Sequence, residues 1–256
     1  MILTIDIGNT HTKLGSVDKD MNVNMICRIP TDRDDTTDGY IARLKQIFDV
    51  KGVDADGFEG IVISSVVPPV TSAIKGAIST ITGIEPVVLG QSLKSDLDIK
   101  IPGGVIAPDL EATAVAAKND YPLPCVIINM GTATTITVVD KCGTYIGGAI
   151  LPGVSTSLNA LTDKTSLLPG IEIEAPTKSI ADETADSMKS GIVYGSAGAI
   201  DGIVDHFEKE MGESPASIVA TGGLGHLIGK YCRHDIILDD DLLLKGLYEI
   251  WEKSLK

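Results

Sequence analysis

The chain opens on Met1-Ile2-Leu3-Thr4-Ile5-Asp6-Ile7-Gly8-Asn9-Thr10 and runs straight into His11-Thr12-Lys13-Leu14-Gly15-Ser16-Val17. A short apolar run ends in an aspartate, a glycine and two small polar residues, and a second β-prone run follows. The pattern predicts two strands joined by a tight hairpin at Gly8-Asn9. Gly8 can take φ > 0 and lets backbone N–H groups approach a ligand. Asp6 falls at the strand end, Asn9, Thr10 and Thr12 offer short donors, and Lys13 offers a cation. Such a turn suits the phosphates of a magnesium nucleotide. N–H groups and hydroxyls hold oxygens, and the carboxylate holds the metal through water. An ordinary hairpin whose aspartate merely ends a strand has the same sequence, so the rest of the chain must decide.

A near-copy of the opening lies 123 residues later, counted from Asp6 to Asn129. It reads Pro124-Cys125-Val126-Ile127-Ile128-Asn129-Met130-Gly131-Thr132-Ala133-Thr134-Thr135, with Asn in place of Asp and a second strand over 134–140. Third strands follow both hairpins, at 23–28 and 145–150. In the first half a helix is expected over 39–49 behind Thr36-Thr37-Asp38. The β-branched run 60–67 reads as a buried parallel strand, ended by Pro68 and Pro69. A helix at 70–81 and a short strand at 86–89 follow. In the second half helices are expected at 152–161 and 185–211, with a strand at 217–221. Two β-β-β-α units with the same hairpin chemistry point to a duplicated fold.

Between the copies, 92–107 is Gly/Pro-marked and reads as a domain crossing or a substrate loop. The segment 109–119 is Ala-rich and helical, with Pro108 before it. Asp109 sits at its start, where the helix dipole stabilises a carboxylate; a capping role without chemistry explains it equally well. The segment 167–184 reads as a loop. Thr221-Gly222-Gly223-Leu224-Gly225 turns from a strand into a helix and suits a phosphate, a flat ligand or simple close packing. An amphipathic helix over 242–255 closes the chain, with Asp239-Asp240-Asp241 expected to cap it. The domains expected are 1–108 and 109–256, the last helix packing back on the first.

Composition narrows the class. The 256 residues are 43% hydrophobic but only 4% aromatic, with 27 Gly, which favours a β-rich α/β protein over a helical bundle. The net charge of −14 argues against non-specific nucleic-acid or anionic-membrane partners. An anionic substrate then needs a locally positive pocket. Cys27, Cys125, Cys142 and Cys232 lack metal-finger or CxxC spacing and read as reduced thiols of a cytoplasmic protein. Asp6 interrupts the apolar start, so no secretory leader is expected. The uncharged stretches 121–139 and 143–162 read as buried strands with turns, not membrane spans. The four histidines have no mutual ligand spacing.

Taken together, Asp6-Ile7-Gly8-Asn9-Thr10, Ile63-Ser64-Ser65-Val66-Val67-Pro68, Gly131-Thr132-Ala133-Thr134-Thr135, Gly147-Gly148-Ala149-Ile150-Leu151-Pro152-Gly153 and Ala220-Thr221-Gly222-Gly223-Leu224 resemble the type III pantothenate kinases over essentially the full chain. That family lies within the actin, acetate-kinase and sugar-kinase superfamily. The resemblance implies an α/β, duplicated ribonuclease H-like (actin-like ATPase) fold, two βββαβαβα-type domains with a cleft between them. It implies ATP-dependent phosphorylation of pantothenate, the first step toward coenzyme A, with Mg²⁺ and a monovalent cation such as K⁺ or NH₄⁺. It also implies a homodimer with active sites near the interface.

Carried over residue by residue, Asp6, Ile7, Gly8, Asn9, Thr10, His11, Thr12 and Lys13 form the first nucleotide site, with Mg²⁺ held at Asp6 through water. Thr132, Gly222 and Gly223 are the second set of ATP contacts. Asp109 matches the family's catalytic base and Thr184 a substrate-binding threonine. The departures fall in the acceptor half. Ala107-Pro108-Asp109-Leu110 stands where the family has Gly-x-Asp-Arg, and Leu110 cannot orient a carboxylate with paired N–H bonds. Asn129 replaces the carboxylate that helps hold the monovalent cation. The usual tyrosine before the catalytic motif is absent, with Lys100 nearby as a replacement partner for the substrate carboxylate. Ala181 replaces a glycine in the threonine motif. Three readings follow: a pantothenate kinase, a nucleotide-binding regulatory relative without kinase activity, or a kinase of another small hydroxyl compound.

Overall fold

The computed structural model describes residues 1–255. The first sheet is built from β1 (Ile2–Ile7), β2 (His11–Val17), β3 (Val23–Pro30), β4 (Gly60–Ser65) and β5 (Val87–Val88), with α1 (Thr37–Lys51) and α2 (Pro68–Thr82) in the connections. Its order is β3-β2-β1-β4-β5, antiparallel through the hairpins and parallel from β1 to β4 and from β4 to β5. Period-2 alternation sends Leu3, Ile5 and Ile7 to one face, where Leu14, Ile61 and Ile63 join them. That face packs on Tyr40, Leu44 and Phe48 of α1 and on Val70, Ile74 and Ile78 of α2. Pro68 and Pro69 do more than end β4. They occupy the first turn of α2, where a missing N–H costs nothing.

The chain continues through β6 (Asp98–Ile99), α3 (Pro108–Asp120), β7 (Cys125–Met130), β8 (Ala133–Val139), β9 (Thr144–Pro152), α4 (Val154–Lys164), α5 (Thr184–Met211), β10 (Ser217–Thr221), α6 (Gly225–Ile228), β11 (Ile237–Leu238) and α7 (Leu242–Ser254). The second sheet runs β11-β10-β7-β8-β9-β6. Without the added edge strand β6, this is the order of the first sheet. The registers also coincide. Asp6 lies opposite Lys13 on one side and Ser64 on the other, and Asn129 lies opposite Thr135 and Thr221. A shared order and register across ten strands is a duplicated fold.

Two compact units result. The first holds Met1–Leu97, Val105–Asn119 and the stretch from Asp241; the second holds Asp98–Gly104 and Asp120–Asp240. The expected division after residue 108 therefore falls at the start of a helix whose body stays with the first unit. Close packing explains this. A methyl group on Gly246 of α7 would come within 1.9 Å of the Ala112 carbonyl oxygen, so α7 crosses α3 at backbone distance. Leu244 and Trp251 of the same helix press on Gly15 and Gly60 of the sheet. Only glycine leaves room for these contacts. Among the described residues, no helix is long and apolar enough to cross a membrane.

Candidate active site

In the first unit the sheet register lines up four polar side chains. Ser64 of β4, Asp6 of β1, Lys13 of β2 and Arg28 of β3 are neighbours in one cross-strand row. Register partners point to the same face. Since Ile5 and Ile7 face the core, this row lies on the opposite face, the one that α7 covers further down the strands.

Asp6 is half-buried. Burial pushes its carboxyl up to about 7, and the Asp109 carboxylate adds to the rise. Ser64 and the Lys13 ammonium pull the other way. The Ser64 hydroxyl nevertheless lies outside ordinary hydrogen-bond geometry and is buried without a partner. Lys13 Nζ donates to Asp241 Oδ1 at 3.0 Å. Asp241 occupies the N-cap position of α7, yet its side chain makes no capping bond. The expected cap is therefore corrected: the carboxylate is drawn to Lys13 instead. Its neighbours are spent elsewhere, Asp240 on His226 Nε2 at 2.8 Å and Asp239 on the Tyr121 hydroxyl at 2.8 Å.

Asp109 is the second residue of α3, beside Ala107, Pro108 and Leu110. Burial raises its carboxyl, against its own N–H and that of Leu110. Its Oδ1 is buried with no hydrogen-bond partner. Two carboxyl groups held up chiefly by burial, Asp6 further raised by Asp109 and Asp109 with an unspent oxygen, make a site that a hydroxyl donor or a cation completes.

The hairpin itself differs from expectation in one respect. β1 ends at Ile7 and β2 begins at His11, so residues 8–10 form a three-residue connection, closed by Gly8 N–H to the His11 carbonyl at 3.0 Å. Gly8 is absent from the residues with positive φ. A three-residue loop does not impose the left-handed pair that a two-residue hairpin does. What favours glycine is space: a Cβ there would sit 3.1 Å from the His11 carbonyl oxygen. Asn9, Thr10 and His11 are exposed and Lys13 half-buried. Ile7 and Thr12 turn into the core, and the Thr12 hydroxyl bonds Thr31 Oγ1 at 3.0 Å. Those two residues therefore offer a ligand only their backbone.

The second unit repeats this geometry without the charges. Asn129 lies between Thr135 and Thr221, and Thr135 Oγ1 is buried without a partner. The Thr132 carbonyl accepts Gly153 N–H at 3.0 Å and Thr156 Oγ1 at 2.8 Å. Gly222 has φ +103° and would place a Cβ 2.4 Å from the Met130 carbonyl oxygen, so glycine is required there. Gly223 beside it is exposed. Thr184, the first residue of α5, lines an open depression of about 620 Å³ with Leu161, Leu168, Asp182, Ser187 and Met188. Lys100 is exposed in this unit, its N–H bonded to the Tyr145 carbonyl at 2.9 Å.

The donor sets can be tested against the ions expected. Among the described residues no three His, Cys, Asp or Glu side chains converge on a metal position. Asp6 alone fits a divalent ion that brings most of its ligands as phosphate and water oxygens. Asn129, Thr135 and Thr221 supply neutral oxygens only. The sequence alone assigns no site role to Ser64, Asp241, Arg28 or Arg33. The register of β1–β4 and the docking of α7 bring them to the site, and no local motif announces either.

The family model described as type III pantothenate kinase matches residues 2–206. A relative named type III pantothenate kinase, from an Exiguobacterium species (strain AT1b), is 38% identical over 257 residues, covering 100% of both chains. Among solved structures, a putative Baf family transcriptional activator from Campylobacter jejuni aligns with TM-score 0.62 at 17% identity, covering 99% of this chain and 98% of that one. A putative 2-dehydro-3-deoxygalactonokinase from Sinorhizobium meliloti aligns with TM-score 0.60 at 11% identity over 99% and 96%. These two likenesses speak for the duplicated actin-like ATPase fold alone. With the family model spanning most of its length and the Exiguobacterium relative matching it end to end, the chain belongs to the type III pantothenate kinase family.

Proposed function

We propose that the protein transfers the γ-phosphoryl group of ATP to the hydroxyl of pantothenate, giving 4′-phosphopantothenate in the first step of coenzyme A biosynthesis. The observation that carries this reading is the buried, unpartnered Asp109 Oδ1, on a carboxylate whose charge raises Asp6 of the hairpin row. The acceptor hydroxyl donates its proton to Asp109 as its oxygen bonds to the γ-phosphorus, and the bridging oxygen leaves with ADP. A raised carboxyl pKa favours taking that proton near neutral pH. The loop that the Gly8 N–H closes holds the phosphate oxygens with Asn9, Thr10, His11 and Lys13. Asp6 orients the hydrated Mg²⁺ of the nucleotide; the ion supplies charge neutralisation at the phosphates. Thr132, Gly222 and Gly223 are the second set of nucleotide contacts.

Ala107, Pro108, Leu110 and Thr184 contact the acceptor, and Lys100 pairs with its carboxylate in place of the family's arginine. A Lys100→Ala protein with unchanged pantothenate KM would dispose of that pairing. The amide oxygen of Asn129 contributes to a monovalent cation site, K⁺ or NH₄⁺, without charge. The protein works as a cytoplasmic homodimer. The deciding experiment incubates purified protein with Mg-ATP and K⁺, with and without pantothenate, and measures ADP together with the phosphorylated acceptor. Pantothenate-dependent ADP and phosphopantothenate are expected. Nucleotide binding with no turnover would favour a regulatory relative. Turnover only with another hydroxyl compound would favour a changed acceptor, the alternative that Leu110 suggests.

A further inference from the structure

The chain has four arginines against a net charge of −14. Two are neutralised, Arg43 by Asp35 and Arg233 by Asp205 and Asp201. The other two, Arg28 and Arg33, are exposed and flank the 8–10 loop. Neither has a carboxylate within ion-pair distance among the described residues. Each instead donates to a neutral side chain of the hairpin. Arg28 Nη2 meets His11 Nδ1 at 3.1 Å, and Arg33 Nη2 donates to Asn9 Oδ1 at 2.8 Å.

These contacts fix the polarity of the loop. A guanidinium carries donors only, so its partner must accept. His11 Nδ1 is then the bare nitrogen, and its proton sits on Nε2. Asn9 spends its oxygen on Arg33 and keeps its two amide N–H bonds. The loop side chains are thereby left as donors, beside two unneutralised guanidinium groups. The segment bearing Arg33 is held against the hairpin by Thr31 N–H to the Thr10 carbonyl at 2.9 Å. Lys13 and Arg28 also share one cross-strand row with Asp6. In a strongly acidic molecule, keeping two arginines from acidic partners at one loop is the arrangement that an anionic ligand requires.

We propose that Arg28 and Arg33 form an anion subsite on the first hairpin that takes the terminal phosphate of a nucleoside triphosphate and so selects ATP over ADP. The proposal rests on the reading of the hairpin as the nucleotide phosphate site. The two arginines act beyond the loop: they hold Asn9 and His11 in donor orientation and bring their own remaining N–H groups to the last phosphate. The third phosphate extends the chain to the guanidinium forks, a reach that the shorter tail of a diphosphate lacks.

The test is titration calorimetry of Mg-ATP and Mg-ADP binding at fixed ionic strength, in the wild type and in an Arg28→Gln/Arg33→Gln variant, with circular dichroism confirming that the variant is folded. Loss of two charge-assisted contacts should weaken ATP binding about 10- to 100-fold. ADP binding should change by less than about threefold, collapsing the preference for triphosphate. Equal weakening of both nucleotides, or no change in either, would overturn the subsite. A parallel arm measures pantothenate KM. A rise there with ATP binding unchanged would assign the arginines to the acceptor's carboxylate and overturn the phosphate assignment. Wild-type protein that binds neither nucleotide would defeat the parent reading, and the terminal-phosphate assignment with it. Wild-type protein that binds ATP alongside an unaffected variant would defeat the subsite alone.

Discussion

The two sheets place the same register at the ends of the same strands and fill it with opposite chemistry. In the first unit the row is Ser64, Asp6, Lys13 and Arg28; in the second it is Thr221, Asn129, Thr135 and Ile150. One row carries a carboxylate and two cations, the other carries only neutral side chains. The turns themselves differ in length: Gly8 N–H donates to the His11 carbonyl across a three-residue connection and Gly131 N–H to the Ala133 carbonyl across a two-residue one, both at 3.0 Å. Duplication thus supplied two turns, and divergence assigned them different work. The charged row, next to Asp109, is equipped for proton and phosphoryl chemistry. The neutral row can bind through hydroxyl, amide and backbone groups but has no group to take a proton.

The sharpest way to break this comparison is Asp109→Asn. If the charged row carries the chemistry, turnover falls about 10²- to 10⁴-fold while Mg-ATP binding persists, read from steady-state kinetics beside calorimetry. Full turnover in this variant would return Asp109 to the rank of a structural helix residue.

The two turns should also differ in tolerance to a methyl group. Gly222→Ala forces a left-handed φ on alanine and drives its Cβ into Met130, and it should cost about 3 kcal/mol or more of unfolding free energy. Gly8→Ala meets only the His11 carbonyl at 3.1 Å and should cost about 1 kcal/mol. Denaturant midpoints compare them directly, and equal losses would contradict the packing described.

The pH response separates the rows as well. Asp6 ordinarily titrates near 3.8 but is raised to about 7 in the folded chain. Between those values the folded protein keeps a proton that the unfolded chain has released. Folding therefore takes up a proton, and stability falls as pH rises through that window. Asp6→Asn removes this contribution. Relative to the variant, the ligand-free wild type should lose a few °C of Tm as pH goes from about 4 to about 7. Parallel melting curves for the two proteins would refute the raised carboxyl. The smallest effect is expected from Asp241→Asn. Its pair with Lys13 is partly solvent-exposed, so stability should change by less than about 1 kcal/mol, with a modest rise in ATP KM.

Much of the architecture was legible in the chain. The runs Ile2–Ile7 and Cys125–Met130 are apolar and β-branched, each followed by a glycine turn, and their spacing exposed the repeat. Asp109 could be named as a candidate from its place at the start of the 109–119 helix. The conformation of Gly8 was not legible, because it depends on whether the loop has two or three residues, and the sequence is compatible with both. Nor was the burial of Thr12: whether an alternating strand shows its odd or even residues to the core is decided by the helices that cover it. The pairing of Asp241 with Lys13 spans 228 residues and follows from α7 docking on the first sheet. Asp239-Asp240-Asp241 looks like a cap locally, and only the tertiary structure gives each carboxylate a different partner. Arg28 and Arg33 read as ordinary loop and strand charges until the register sets them beside His11 and Asn9.

The central claim is that the charged row performs the chemistry and the neutral row does not. It is tested most directly by measuring kcat for Asp6→Asn and Asn129→Asp side by side at saturating Mg-ATP and pantothenate. The first change makes the charged row resemble the neutral one, and the second does the reverse. The account predicts that Asp6→Asn lowers kcat by about 10²-fold or more, whereas Asn129→Asp leaves kcat within about threefold and strengthens the response to K⁺. Retained turnover in Asp6→Asn together with abolished turnover in Asn129→Asp would contradict it.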